Sequence, residues 1–141
     1  MSKVYAIVVT FHPNIETLHE LLNLLSPQVD TILLIDNATP GLAQVVSLST
    51  VDNFELIINS ENLGVATAYN QGVVKAQSEG ATHTILFDQD SLPADSLVQV
   101  LLGVWYKAVQ NGMKIAALGP NYTDAKGSCQ SPFVGIKGLR L

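Results

Sequence analysis

The stretch Val4–Thr10, Val-Tyr-Ala-Ile-Val-Val-Thr, decides the fold of this 141-residue chain. It is a continuous apolar run rich in β-branched residues, which is typical of a strand buried on both faces of a parallel sheet. Runs of the same character predict strands over Thr31–Ile35, Phe54–Ile58 and Thr82–Phe87, and a shorter run predicts a fifth over Ile115–Leu118. The sequence therefore predicts a sheet of five buried strands.

Amphipathic helices are predicted between these strands, because apolar or small side chains recur three and four residues apart. The first helix follows an Asn14 cap and ends at Pro27, the third opens at Ser91 and Pro93, and a short helix is expected over Leu42–Leu48. The expected buried stripes are Leu18, Leu21, Leu22 and Leu25 in the first helix; Val65, Ala68, Tyr69, Gly72, Val73 and Ala76 in the second, ended by Gly80; and Leu97, Val100, Leu101, Val104, Trp105 and Ala108 in the third. Alternating strands and helices predict right-handed βαβ units, and so an α/β fold with a mostly parallel sheet.

The composition excludes several classes of protein. A net charge of −5 without a basic run argues against nucleic-acid binding. No apolar run approaches the ~20 residues that span a bilayer, and the single cysteine, Cys129, rules out an internal disulfide. A cytoplasmic protein is therefore expected. Charged residues make up only 13%, against about 25% in an average domain, which suggests that part of the surface is covered by a partner, a membrane face or more of the same chain.

Polar side chains follow each of the first four predicted strands. They are Thr10 and His12, then Asp36 and Asn37, then Asn59 and Asn62, and finally Asp88 and Asp90. Because ligands of open parallel sheets sit beyond the carboxyl ends of the strands, these side chains are candidate site residues. Asp and Asn are also favoured turn and cap residues, so the amides taken singly have an equally good structural explanation.

The pair Asp88 and Asp90 has a weaker structural explanation. Carboxylates two residues apart on an extended segment can point the same way and repel unless a cation lies between them. Magnesium characteristically binds one or two carboxylates and completes its shell with water and substrate phosphates. The pair therefore predicts a divalent-metal site shared with a diphosphate.

The segment Asn62–Gly72, Asn-Leu-Gly-Val-Ala-Thr-Ala-Tyr-Asn-Gln-Gly, places small residues where the second helix opens. Helix N-terminal amides favour a nearby phosphate, and small side chains permit its close approach. The same small residues also fit tight packing of the helix on the sheet. Asn70, a polar residue inside the helix, is harder to explain by packing.

Together these segments resemble family 2 glycosyltransferases. The resemblance rests on Val8-Val9-Thr10-Phe11, Ile35-Asp36-Asn37, the N-L-G-x-A-x-A-x-N-x-G pattern over 62–72, and Asp88-Gln89-Asp90-Ser91, in the order and spacing of that family. It covers residues 4 to about 124. Phe87–Ser91 and Leu118-Gly119-Pro120 further resemble bacterial rhamnosyltransferases.

The resemblance implies a GT-A fold, Rossmann-like, and inverting sugar transfer that uses Mg²⁺ or Mn²⁺. The donor would be a nucleoside-diphosphate sugar, dTDP-rhamnose above others, and the acceptor a glycan or lipid-linked saccharide in surface polysaccharide synthesis. The residues implied at the donor site are Thr10 beside the nucleotide, Asp36 on the pyrimidine, Asp88 on the ribose, Asp90 with Asp88 on the metal, and His12, Asn62, Gly64 and Asn70 around the donor. His12 could equally be an ordinary loop residue.

The resemblance also implies a division of the chain. Residues 1–120 would form the donor-binding region, cut off after the fifth strand, and residues 121–141 an irregular tail that leads to an acceptor-binding half. The general base is then expected beyond Leu141, so this chain alone is expected to transfer little sugar. The alternative is a non-catalytic module that binds nucleotide sugar and metal, or an inactive fragment. Self-association and peripheral contact with the inner face of the membrane are further expectations.

Overall fold

The computed structural model of the chain describes residues 2–43 and 51–120. Its four strands are β1 (Val4–Thr10), β2 (Thr31–Asp36), β3 (Phe54–Ile58) and β4 (His83–Asp88). They form one sheet in the order β3-β2-β1-β4, and every neighbouring pair is parallel. The first four predicted strands are thus confirmed, each within one residue at either end.

The described helices are α1 (Ile15–Leu25), a 3₁₀ turn at Ser26–Gln28, α2 (Val65–Ser78) and α3 (Leu97–Gln110). The chain divides into two compact units, Met1–Val100 and Leu101–Leu141. The sheet, α1 and α2 belong to the first unit. A parallel sheet flanked by helices confirms the predicted Rossmann-like α/β class. No helix within the described ranges is long and apolar enough to cross a bilayer.

Strand β1 lies at the centre of the core because it pairs on both sides. All seven of its residues are buried. It aligns Thr10 with Asp36 of β2 and Val9 with Asp88 of β4. The continuous apolar run therefore does what the sequence predicts: it fills the sheet centre, where both faces are covered.

Helix α1 begins and ends where the sequence indicates. The Asn14 side chain accepts a hydrogen bond from the Thr17 amide at 3.0 Å, which satisfies one of the free donors of the first turn. The helix gives way after Leu25 to the 3₁₀ turn that contains Pro27. The predicted stripe is fully buried, at Leu18, Leu21, Leu22 and Leu25.

Helix α2 packs closely on β1 through its small residues. Ala68, Gly72 and Ala76 are buried, and a Cβ at Gly72 would lie 2.5 Å from Ile7 Cγ2. Gly80 adopts a φ of +82° just beyond the helix, the left-handed conformation typical of a helix end. Packing therefore accounts for the small residue at 72, one of the two explanations that the sequence left open.

The predicted fifth strand is wrong. Ile115–Leu118 is described and is not a strand. The segment has only four residues, and two of them, Ala116 and Ala117, belong to a residue type that is depleted in strands. The described sheet therefore has four strands.

For α3, the predicted start is wrong and the predicted buried stripe is wrong in part. The helix begins at Leu97 rather than at Ser91 or Pro93; a residue before proline, here Leu92, is disfavoured in helical conformation. Val98 is the buried residue of the described helix. In the predicted stripe, Val100 and Val104 are 56% and 49% exposed, whereas the other four residues are partly buried. Periodicity identifies an apolar face, but burial requires a neighbouring element that covers it.

Of the short helix predicted over Leu42–Leu48, Leu42 and Ala43 are helical and the remainder lies outside the described residues. The predicted tail, 121–141, also lies outside them.

Candidate functional site

The carboxyl ends of all four strands lie at one edge of the sheet, because the strands are parallel. The chain runs from β1 outward through β2 to β3 and then returns to place β4 on the other side of β1. The crevice at such a reversal is where open α/β sheets bind ligands. Residues 10–12 after β1 and 88–90 after β4 border this reversal. We call residues 10–12, 36–39, 59–64 and 88–91, at the carboxyl ends of the four strands, the strand-end rim.

Asp36 lies inside the rim and is fully buried. Its Oδ1 accepts hydrogen bonds from the hydroxyls of Thr10 and Thr39, both at 2.7 Å, and its Oδ2 accepts one from the Thr39 amide at 2.6 Å. A carboxylate offers about four acceptor positions, so one on Oδ2 remains. Asp36 therefore organises the loop after β2.

Thr39 joins the loops after β1 and β2, and the sequence alone did not identify it. Its hydroxyl donates to Asp36 and also accepts a hydrogen bond from the His12 amide at 2.8 Å. His12 and Ala38 have φ values of +49° and +67°, and within the described ranges they are the non-glycine residues with positive φ. Such backbone strain clusters at functional sites, and here both instances lie at the rim.

A network of three amides continues the rim on the β3 side. Asn59 Nδ2 donates to Asn37 Oδ1 and to Gln71 Oε1, both at 3.0 Å, and Gln71 Nε2 donates back to Asn59 Oδ1 at 3.1 Å. Asn37 and Asn59 are buried. Asn59 therefore joins the ends of β2 and β3, and Gln71 of α2 holds Asn59 in place, a role that the sequence analysis missed.

The segment Asp88-Gln89-Asp90 is held from two sides. Tyr69 Oη of α2 donates to Asp88 Oδ1 at 2.9 Å, and the amide of Phe11 donates to Gln89 Oε1 at 2.8 Å. Burial, together with the hydrogen bond to and the charge of Asp88, raises the pKa of the Tyr69 phenol well above its ordinary value, so the phenol stays a neutral donor. Asp88 and Asp90 themselves are exposed.

The start of α2 is open. Gly64 adopts a φ of +80°, and a Cβ there would meet no atom within 4 Å, so glycine serves the backbone conformation rather than a close contact within the chain. Asn62 Oδ1 accepts a hydrogen bond from the Gly64 amide at 2.9 Å. No side chain caps the helix, which leaves its first amides free for an anion.

Asn70 is the predicted site residue that the structure separates from the others. It is exposed and lies two positions from both Ala68 and Gly72, on the side of α2 opposite to its buried face. It shares a shallow depression with Thr67, Val74 and Ser78. The other predicted residues, Thr10, His12, Asp36, Asn62, Gly64, Asp88 and Asp90, all lie in loops at the rim or at the carboxyl ends of strands.

Asp88 and Asp90 are the residues of the rim that could hold a divalent cation. Asp36 lies two strand spacings from Asp88, roughly 10 Å between backbones. Among the described residues, no three acidic, histidine or cysteine side chains come together as a complete metal site. Two exposed carboxylates nevertheless fit a hard divalent ion that takes its other ligands from water and a diphosphate.

A second depression, of about 300 Å³, lies at the amino-terminal end of β4, where Thr82, His83 and Thr84 line it with Val73 and Gln77 of α2. Its titratable side chain, His83, lies with Nδ1 3.0 Å from Thr82 Oγ1. It has none of the convergent carboxylates and amides of the rim. The rim is therefore the better candidate site.

The parallel four-stranded sheet flanked by helices is consistent with a GT-A, Rossmann-like fold. The chain belongs to the family described as Glycosyl transferase family 2, whose profile matches residues 6–125. This confirms the resemblance read from the sequence.

Two relatives show how far the similarity extends. Over 141 residues the chain is 33% identical to the dTDP-rhamnosyl transferase RfbF of Shigella flexneri, covering 99% of this chain and 46% of that protein. The crystal structure of S. aureus TarS 1-349 superposes with a TM-score of 0.55 at 18% identity, covering 86% of this chain and 39% of that one, which supports the fold. The chain thus spans about half the length of the relative that it matches.

Proposed function

We propose that this chain binds the donor of an inverting glycosyltransferase, a nucleoside-diphosphate sugar, with Mg²⁺ or Mn²⁺, and that dTDP-rhamnose is the favoured donor. The observation that carries the proposal is the exposed pair Asp88 and Asp90 held at the strand reversal of a family 2 chain. The preference for dTDP-rhamnose is supported by the similarity to RfbF, named as a dTDP-rhamnosyl transferase.

The nucleoside is proposed to lie over the ends of β1 and β2. Thr10 and His12 would flank it, and the pyrimidine N–H would take the acceptor position that remains on Asp36 Oδ2. Because Asp36 is fully buried, the ring can reach it only if the residues that cover it shift. The Thr39 amide, bonded to the same oxygen, would report that shift.

The diphosphate is proposed to lie between the start of α2 and the acidic pair. The free amides after Gly64, with Asn62 beside them, favour its negative charge. Asp88 would contact the ribose, and Asp90 with Asp88 would hold the cation, which supplies positive charge to the diphosphate leaving group. Asn70 has no part in this arrangement unless the donor extends over the outer surface of α2.

The acceptor is proposed to be a glycan or lipid-linked saccharide of surface polysaccharide synthesis, met on the cytoplasmic side, at the membrane face for a lipid-linked acceptor. A transfer reaction also requires a group that removes the proton from the acceptor hydroxyl. The described residues suggest none for this role, and we propose that it lies outside the donor site.

Calorimetric titration with dTDP and with UDP, each with and without Mn²⁺, tests the proposal. We expect dTDP to bind, and Mn²⁺ to tighten binding by about tenfold or more, as for a charge-assisted contact of 1.5–3 kcal/mol. Asp90→Ala should remove the effect of Mn²⁺, whereas Asp95→Ala, at an exposed aspartate outside the rim, should retain it. If neither nucleotide binds, the proposal is wrong.

Release of dTDP from dTDP-rhamnose in the presence of saccharide acceptors separates the two candidate functions. Release that depends on an acceptor indicates transfer. Tight binding without release indicates the alternative, a non-catalytic module that binds nucleotide sugar and metal.

A further inference from the structure

Tyr69 reaches the acidic pair from helix α2. The sequence predicted this residue on the buried stripe of the helix, and its ring is half-buried against the core that contains Tyr5, Ile7 and Val9. Its hydroxyl nevertheless emerges at the rim and donates to Asp88 Oδ1 at 2.9 Å. The ring is therefore anchored by the core while its hydroxyl contacts the site.

Gln89 holds the same segment from the other side. Its Oε1 accepts the hydrogen bond of the Phe11 amide, which ties the loop after β4 to the loop after β1. Residues 88–91 form a turn rather than the extended segment that the sequence predicted, with the Ser91 amide donating to the Asp88 carbonyl at 3.2 Å. The contact made by Gln89 therefore holds the turn that carries both Asp88 and Asp90. Tyr69 is 19 positions from Asp88 in the sequence, and Phe11 is 78 positions from Gln89.

We propose that Tyr69 and Gln89 are positioning residues that fix Asp88 and Asp90 for the cation and the diphosphate of the donor. The proposal rests on the proposed function. A neutral phenol occupies one oxygen of Asp88 without cancelling its charge, and leaves Oδ2 for a ligand. Without these contacts, the two like charges would turn apart in the absence of a cation and would have to be reordered when it binds.

The test is the removal of one oxygen atom, Tyr69→Phe, with Tyr5→Phe as the matched control. Tyr5 Oη donates to Glu79 Oε2 at 3.0 Å, so the control also removes one tyrosine–carboxylate hydrogen bond, but at the opposite end of the sheet. The dissociation constant of dTDP is measured for both variants and the unaltered chain, with and without Mn²⁺. Thermal unfolding of each protein monitors stability.

We expect Tyr69→Phe to weaken Mn²⁺-dependent binding of dTDP by about 3- to 10-fold, the loss of one hydrogen bond, and to change binding without metal by less than about twofold. Tyr5→Phe should leave both constants unchanged even where it lowers the melting temperature. Gln89→Met, which keeps length but removes the acceptor, should act like Tyr69→Phe. Gln77→Met, at an exposed glutamine of α2, should bind like the unaltered chain.

The outcomes distinguish the two proposals. If the unaltered chain binds dTDP with Mn²⁺ and Tyr69→Phe binds it equally well, the positioning role is wrong and the proposed function stands. If Tyr69→Phe weakens binding equally with and without Mn²⁺, the residue has a general structural role and the positioning role is again wrong. If the unaltered chain binds no nucleotide, both proposals fail.

Discussion

At the scale of single residues, the rim is built from polar groups whose partners lie in other loops. Asp36 illustrates what the sequence predicts and what it does not. Its place at the end of a buried strand predicts a site residue, but its hydrogen bonds to Thr10 and Thr39 depend on the pairing of β1 with β2. Thr39, Gln71, Tyr69 and Gln89 were missed for the same reason, since no local pattern reveals a partner from a distant segment.

Asp36→Asn should destabilise the chain. The new side-chain NH₂ replaces one of the two carboxylate oxygens. If it replaces Oδ2, the Thr39 amide loses its acceptor; if it replaces Oδ1, the hydroxyls of Thr10 and Thr39 lose theirs. We expect the free energy of unfolding to fall by about 1–3 kcal/mol, measured by urea denaturation. Asp52→Asn, at an exposed aspartate, should change it by less than about 0.5 kcal/mol. Equal stability of the two variants would show that Asp36 does not organise the loop.

Gly72→Ala should also destabilise the chain, because the added methyl group would lie 2.5 Å from Ile7 Cγ2. We expect a loss of about 1–3 kcal/mol in the free energy of unfolding, as for an overpacked core. Gly103→Ala is the matched control. Gly103 also lies in a helix, α3, but a Cβ added there would have no other atom within 4 Å. The control should gain up to about 1 kcal/mol from helix propensity. A stabilising Gly72→Ala would contradict the close packing of α2 on β1.

At the scale of elements, α2 is fixed at both ends. Its first half carries Tyr69 and Gln71 to the rim, and its second half forms ion pairs near the other end of the sheet. Lys75 Nζ lies 2.8 Å from Glu55 Oε2 of β3 and also pairs with Glu79 at the end of the helix. The pairing with Lys75, and then the hydrogen bond from Tyr5, lower the pKa of Glu79 below its ordinary value of 4.5.

This shift predicts how stability responds to acid. Because the pKa of Glu79 is lower in the folded chain, its contribution is present above the ordinary value of 4.5 and is lost as the pH falls through the folded value. Glu79→Gln should therefore lower the melting temperature at pH 7, and the difference from the unaltered chain should shrink towards pH 3. Glu61→Gln, at an exposed glutamate, should show neither effect. A difference independent of pH would contradict the ion-pair account.

The strength of the sequence pattern explains why most helices and strands could be predicted and the fifth strand could not. Strands β1 to β4 have strong β-branched or apolar runs bounded by turns, and α1 has a cap, a stripe and a proline. Ile115–Leu118 is short and half alanine, so its pattern fits a loop as well as a strand. The buried face of α3 depends on which element lies beside it, and periodicity does not supply that information.

At the scale of the whole molecule, the chain is low in charge and is similar to part of a longer protein. Only 13% of its residues are charged, and it covers 46% of its rhamnosyl transferase relative from S. flexneri. The four motifs at the strand ends, in their order and spacing, carry the resemblance that predicts the family, and the family profile over residues 6–125 confirms it. The sugar, the acceptor and the acceptor base are not determined by that edge alone.

The central claim is that the strand-end rim binds a nucleoside diphosphate with a divalent cation. An amide NMR titration of the ¹⁵N-labelled, 15.1 kDa chain with dTDP and Mg²⁺ tests it most directly, because every loop of the rim carries amides that report contact. We predict saturable shifts at residues 10–12, 37–39, 64–67 and 88–91, including the Thr39 amide bonded to Asp36. Shifts confined to the opposite end of the sheet, around Lys3, Glu79 and Thr82, or no shifts at all, would contradict the claim.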